Sequence, residues 1–287
     1  MNIQLPKYHG LGNDYLVYDP QRNTLPLNHD RIKLICHRNF GVGSDGILYG
    51  PIFDKDKILV RIYNPDGSEA EKSGNGVRIF SKYLKDAGYV TSRRFTLTTK
   101  GGDVMVEFLD ELGERQKVSM GKPTYRSVDI PVAGKDRQVI HETMTFHGQA
   151  YQVTCLSIGN PHCVIPTGEI SREKACELGP YVENSDNFPN RINMQLVRVM
   201  DRNHCEIEIY ERGAGYTLAS GSSSCAAASA AYKLGLVDHL VTVHMPGGSL
   251  EIEIDKDESI FMTGSVASIG TMMLSPRLID ELLRFNN

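Results

Sequence analysis

Ser73-Gly74-Asn75-Gly76 and Ser220-Gly221-Ser222-Ser223 stand 147 residues apart (220 minus 73) in a chain of 287, each at the start of a run with helical spacing. The same offset carries Gly12-Asn13 onto Gly159-Asn160, Ile62-Tyr63 onto Ile209-Tyr210, Gly88 onto Gly235, Val90 onto Val237 and Gly101 onto Gly248. One constant offset, without a gap, marks two structurally equivalent halves. In the first half, 58–63 alternates as a strand and Pro65-Asp66-Gly67 turns the chain. Residues 75–87 then have helical spacing, with Val77, Phe80 and Leu84 on one face before Gly88 ends the helix. In the second half, 205–210 alternates as a strand, a turn runs through Gly213 and Gly215, and the alanine-rich 223–233 forms a helix closed by Gly235. Strands return at 94–98 and 104–108, and at 241–244 and 250–254, so both halves set a helix against strands.

Small residues at the two helix starts leave backbone N–H groups open to a ligand. A helix N-terminus carries roughly half a positive charge and several donors without intrahelical partners, so it attracts a carboxylate. Ser, Asn and Gly are also ordinary N-caps. What points past capping is their repetition in register, each after polar residues at a strand end (Asn64; Glu211-Arg212). Two such termini are expected to grip one carboxylate across a cleft between the halves.

Composition narrows the class. A chain of this length invites two domains. With 40% hydrophobic and 23% charged residues and a formal charge of -4, it has the make-up of a globular protein without a nucleic-acid or membrane partner. Pro6, Lys7 and His9 interrupt any signal core, and no run of about 18 apolar residues occurs, so a cytoplasmic location is expected. The six cysteines show no paired spacing and are read as reduced, mostly buried thiols. His37, His204 and His244 have no ligand spacing, and no metal site is expected.

Several segments together resemble the diaminopimelate epimerase family along essentially the whole chain. They are Lys7-Tyr8-His9-Gly10-Leu11-Gly12-Asn13-Asp14, Gly41-Val42-Gly43-Ser44-Asp45-Gly46, and Asn64-Pro65-Asp66-Gly67-Ser68-Glu69-Ala70-Glu71 with Ser73-Gly74-Asn75-Gly76. Gly159-Asn160-Pro161-His162, Asn193, and Glu211-Arg212-Gly213 leading to Ser220-Gly221 complete the set. The resemblance implies an α/β fold of two pseudo-symmetric domains, each a central helix wrapped by mostly antiparallel strands, with the active site in the interdomain cleft. The expected division is 1–120 and 121–265, with 266–287 packing on the first domain. It further implies a cofactor-independent isomerase and a homodimer. The expected substrate is a small amino acid, with LL- and meso-diaminopimelate interconverted for lysine and peptidoglycan precursor synthesis. Gly74, Asn75, Gly221 and Ser222 are expected at the reacting carboxylate. Asn13, Asn64, Asn160, Asn193, Glu211 and Arg212 are expected to recognise the non-reacting end, Arg212 as a fork for a carboxylate.

The family places a catalytic cysteine in each domain, on opposite faces of the α-carbon; this chain has Ser73 and Ser220 there. A thiol titrates near 8.5 and a helix N-terminus lowers that further, whereas a hydroxyl is a far weaker acid unless a base adjoins it. The surroundings differ too, with Lys72 before Ser73, Ile79-Phe80 after it and Ser222-Ser223-Ser224 beyond Ser220, which favours natural divergence over the competing explanation, an engineered pair of Cys→Ser changes of the kind made to trap a substrate. His162 and Glu211 are the nearby groups suited to assist a serine, and Cys225, five residues beyond Ser220, is placed for packing. Two alternatives keep the fold: a racemase or dehydratase of another amino acid, and an amino-acid-binding form, either non-catalytic or trapped by Cys→Ser changes.

Overall fold

In the computed structural model, residues 2–71 and 73–285 are described, and Lys72, beside the first helix start, lies outside them. The helices are α1 (His29–Cys36), α2 (Gly74–Asp86), α3 (Arg172–Glu183), α4 (Gly221–Lys233) and α5 (Pro276–Leu283). The chain divides into two units, Met1–Val118 with Gly264–Asn287, and Ser119–Thr263.

The first unit is built around α2. Gln4–Gly10 pairs antiparallel with Asn13–Tyr18 and with Ala267–Met273. Asn13–Tyr18 runs parallel to Ile47–Asp54, which is antiparallel to Lys57–Tyr63. Lys57–Tyr63 runs parallel to Arg94–Thr99, and Gly102–Phe108 and Arg115–Gly121 follow antiparallel. Parallel neighbours need a crossover, and the two parallel steps here are bridged by α1 and α2. The second unit repeats this plan about α4. Gln149–Ser157 pairs with Glu142–Phe146 and Pro161–Pro166, and α3 bridges the parallel step to Asn193–Val199. His204–Glu211 follows antiparallel, α4 bridges its parallel step to Leu240–Met245, and Gly248–Ile254 and Ile260–Ser265 complete the series. The repeat offset maps α2 onto α4 at both ends, since 74 plus 147 is 221 and 86 plus 147 is 233.

Val77, Phe80 and Leu84 are at most 1% exposed, as their spacing predicts, yet burial is not confined to their face. Every residue from Gly74 to Leu84 is buried, including Arg78, Ser81 and Lys82. The single apolar stripe expected of a surface helix is absent because strands surround α2 on all sides. In α4 the same enclosure is met by Ala226, Ala227, Ala228, Ala230 and Ala231, whose small side chains let the sheet close in. Gly88 and Gly235 end the two helices in the left-handed conformation (φ 78° and 70°), with Tyr89 and Leu236 N–H returning to Leu84 and Ala231 carbonyls.

The C-terminal segment packs into the first unit. Ile279 and Leu282 of α5 join a core with Ile3, Leu5, Leu16, Ile32 and Ile35. The buried Arg31 guanidinium donates to the carbonyls of Leu282 (3.0 Å), Phe285 (2.7 Å) and Pro26 (2.7 Å), thereby capping the end of α5. Arg31→Met removes three charge-assisted donors, one of them to the buried Leu282 carbonyl. It is expected to destabilise the protein by about 2–4 kcal/mol, read as a lowered urea midpoint; an unchanged midpoint would show that α5 docks without it.

Candidate functional site

Each helix start is organised by its serine. Ser73 has extended backbone (φ -140°, ψ 120°), and its Oγ accepts from the Gly76 N–H at 3.0 Å. Ser220 repeats this (φ -150°, ψ 125°), with its Oγ accepting from the Ser223 N–H at 3.3 Å. Both are N-caps by geometry, satisfying one of the first-turn donors. Helix geometry gives the N–H groups of Gly74, Asn75, Gly221 and Ser222 no partner within their own helices, so they remain suited to an anion.

The two asparagines of the Gly-Asn repeat lie against these starts. In the first unit Asn75 Nδ2 donates to Asn13 Oδ1 at 3.1 Å; in the second, Asn160 Nδ2 donates to Ser222 Oγ at 3.3 Å. Asn13 is held from its other end by Asp45, which accepts from Asn13 Nδ2 at 2.9 Å and from the Asp14 N–H at 3.1 Å. Arg38 bridges Asp45 and Asp14, and Lys7 pairs with Asp14 at 2.7 Å. Burial works against the Asp14 charge, but its hydrogen-bonded ion pairs with Lys7 and Arg38 outweigh it and hold that carboxyl below the ordinary range. Behind Asn75, the fully buried Arg78 guanidinium donates to Asn75 Oδ1 at 2.6 Å. Asn64, by contrast, is engaged in its own turn, donating through Nδ2 to Ser68 Oγ at 3.0 Å.

The second unit links most of its expected residues. Ser220 Oγ lies 3.4 Å from Ser222 Oγ, and His162 Nε2 lies 3.0 Å from Asn160 Oδ1. Asn193 faces His162 across the parallel strands; its Nδ2 donates to the Pro161 carbonyl at 2.7 Å, and its Oδ1 accepts from the Arg212 N–H at 2.9 Å. The exposed Arg212 side chain donates to the Asn190 carbonyl at 3.1 Å. Glu211 is partly buried. Burial pushes its carboxyl up, and the nearby Ser220 hydroxyl draws it partly back. A carboxylate beside Ser220 with a raised affinity for protons is matched to proton transfer.

His162 is fully buried. Loss of solvation lowers its pKa from 6.5 to about 3, an interaction with Gln195 opposes this, and Arg212 reinforces it. It is therefore neutral at pH 7 and suited to hydrogen bonding rather than to holding charge. Asp45, Arg78, Gln195 and Tyr15, whose hydroxyl lies 3.5 Å from Ser73 Oγ, were not singled out by sequence, although Asp45 sits within a family-like segment. Cys225 is buried, and of the six cysteines Cys176 alone is exposed. His204 Nδ1 and His244 Nε2 lie 3.1 Å apart, and among the described residues no three His, Cys, Asp or Glu converge as metal ligands.

The His162 environment sets a sign for stability against pH. A histidine whose folded pKa is depressed takes up protons more readily when unfolded, so its contribution is complete above 6.5 and is lost as pH falls toward 3. His162→Gln is expected to flatten the fall of the urea midpoint between pH 6.5 and about 4.5. Parallel curves for the two proteins would show that His162 is not held neutral.

A family model described as diaminopimelate epimerase matches residues 5–126 and 154–269. The chain is 51% identical over 273 residues to diaminopimelate epimerase 2 of Nostoc sp., covering 95% of each chain. It is 34% identical to the diaminopimelate epimerase of Moorella thermoacetica, covering 92% of this chain and 96% of that one. Among solved structures, a probable proline racemase from Agrobacterium radiobacter with bound carbonate superimposes with a TM-score of 0.69 at 13% identity, over 96% of this chain and 93% of that one.

Proposed function

The chain belongs to the diaminopimelate epimerase family, and from that premise we propose that it interconverts LL- and meso-diaminopimelate, as an isomerase acting at one α-carbon. The observation that carries this reading is the pair of serine-capped helix starts at equivalent repeat positions, each contacted by the asparagine of a Gly-Asn pair.

The α-hydrogen of an amino acid is very weakly acidic, so removing it requires that the developing enediolate be stabilised where it forms. In this reading the N–H groups of Gly74, Asn75, Gly221 and Ser222 hold the reacting carboxylate and receive its growing charge. Ser73 and Ser220 exchange protons with opposite faces of the α-carbon, and no cofactor takes part. Asn13, Asn64, Asn160, Asn193, Glu211 and Arg212 bind the distal amino and carboxylate groups and so fix which α-carbon reacts. Glu211 is the first candidate to take the proton of Ser220, and the neutral His162 orients Asn160. Among the described residues no helix is long and apolar enough to cross a membrane. We place the enzyme in the cytoplasm as a homodimer acting on a free amino acid, without a nucleic-acid or membrane partner.

Hydroxyls in place of thiols make the direct route slow, and this one feature favours a second reading in which the chain binds the amino acid without turning it over. The two readings differ in α-deuterium incorporation from heavy water. Ser73→Cys with Ser220→Cys is expected to raise exchange by orders of magnitude, with each single change recovering much less, because turnover needs a base on one face and an acid on the other. Tight binding with no exchange in parent or double variant would support the binding form. Arg212→Ala is expected to weaken diaminopimelate binding at least tenfold, about 1.4 kcal/mol, by calorimetry. Unchanged affinity would remove the distal-carboxylate assignment.

A further inference from the structure

Resting on the epimerase reading, we propose that the Tyr15 hydroxyl is the proton-relay partner of Ser73, a positioning residue that acts through the serine. Ser73 Oγ accepts the Gly76 N–H at 3.0 Å, and Tyr15 Oη stands 3.5 Å away on the same oxygen. Contacts of this kind are often long in an unliganded enzyme and shorten once substrate is bound. The Tyr15 ring is 7% exposed and lies against the backbone of Gly46, where a β-carbon would come within 2.7 Å of Tyr15 Cε1. Glycine at position 46 thus leaves the room that the ring occupies.

Three further observations point the same way. By the repeat offset Tyr15 corresponds to His162 (15 plus 147), so each unit puts a ring with a hydrogen-bonding atom two residues after the asparagine of its Gly-Asn pair. A phenol, with a pKa near 10, is a much stronger acid than an aliphatic alcohol and closer to neutral pH. The α2 N-terminus and the buried Arg78 guanidinium behind Asn75 both favour an anionic oxygen near Ser73. The second unit has Cys225 at the position of Arg78 (78 plus 147), so this buried cation supports the first serine and not the second.

The step balances in protons and electron pairs. When Ser73 acts as the acid, its O–H bond breaks as a C–H bond forms at the α-carbon, and the alkoxide takes the Tyr15 proton, leaving a phenolate. In the reverse direction the phenolate takes the Ser73 proton as Ser73 accepts the α-hydrogen, and the Tyr15 O–H bond is restored. Solvent resets the pair between turnovers.

The test compares Tyr15→Phe in the parent and in the Ser73→Cys protein, reading α-deuterium incorporation from LL- and meso-diaminopimelate with pH. In the parent, Tyr15→Phe is expected to lower kcat about a hundredfold with little change in KM, and to abolish the alkaline fall of the rate in the direction that uses Ser73 as acid. In the Ser73→Cys protein the same change should cost less than about threefold, since a thiol needs no relay. Equal losses in both backgrounds would reduce Tyr15 to a packing role, and no loss in the parent would overturn the relay. A parent that binds diaminopimelate by calorimetry but exchanges nothing overturns the relay while leaving the substrate assignment standing; a parent that does not bind it overturns both.

Discussion

In each unit a serine hydroxyl accepts the backbone N–H three residues on, at the mouth of a helix otherwise sealed inside a strand wrap. A buried helix end with unsatisfied donors would be costly, so the cap is a condition of the architecture. The same hydroxyl sits beside the helix dipole's positive end, where an anion is favoured. One oxygen therefore caps the helix and sits where an anion is favoured. The enclosure also dictates residue size. The first turn is built from Gly74, Asn75 and Gly76 in one unit and Gly221, Ser222 and Ser223 in the other, and the interior of α4 is largely alanine.

The two helix starts share geometry but not surroundings. Behind the first lies a charged lattice, in which Arg78 holds Asn75, Asn75 holds Asn13, and Asn13 is tied through Asp45 to Arg38. Behind the second, His162 Nε2 meets Asn160 Oδ1 and Gln195 Nε2 donates to Ser223 Oγ, while Glu211 brings a carboxyl near Ser220. A thiol at either place draws enough acidity from the helix terminus alone. A hydroxyl does not, and this difference gives the neighbouring groups more weight here than the repeat alone conveys. Tyr15 lies beside Ser73, and Glu211 is a neighbour of Ser220.

Much of the fold was legible because its signals are local or periodic. The repeat offset, the alternating strands beside each helix and the glycine stops at Gly88 and Gly235 all follow from short-range pattern, and the structure repeats its strand and helix order in the same register. The helix starts were legible to within two residues, since Gly74 and Gly221 begin helices expected at 75 and 223. The reading of α2 as one-faced missed its burial on every side. Val77, Phe80 and Leu84 carry the periodic signal, but Arg78, Ser81 and Lys82 are buried only because strands distant in sequence enclose them.

The sequence by itself determined that there are two equivalent halves, where each central helix begins, and that a serine stands at each helix start. Those properties reside in residue identity and spacing, which the chain carries before it folds. Tertiary structure alone decided what each polar side chain is paired with. Asn13 meets Asn75, and Asn160 meets Ser222, over 62 residues of chain, while Asp45 clamps Asn13 and Tyr15 reaches Ser73 over 58. Tertiary structure also decided that His162 is neutral, since its charge state depends on the solvent that packing takes away.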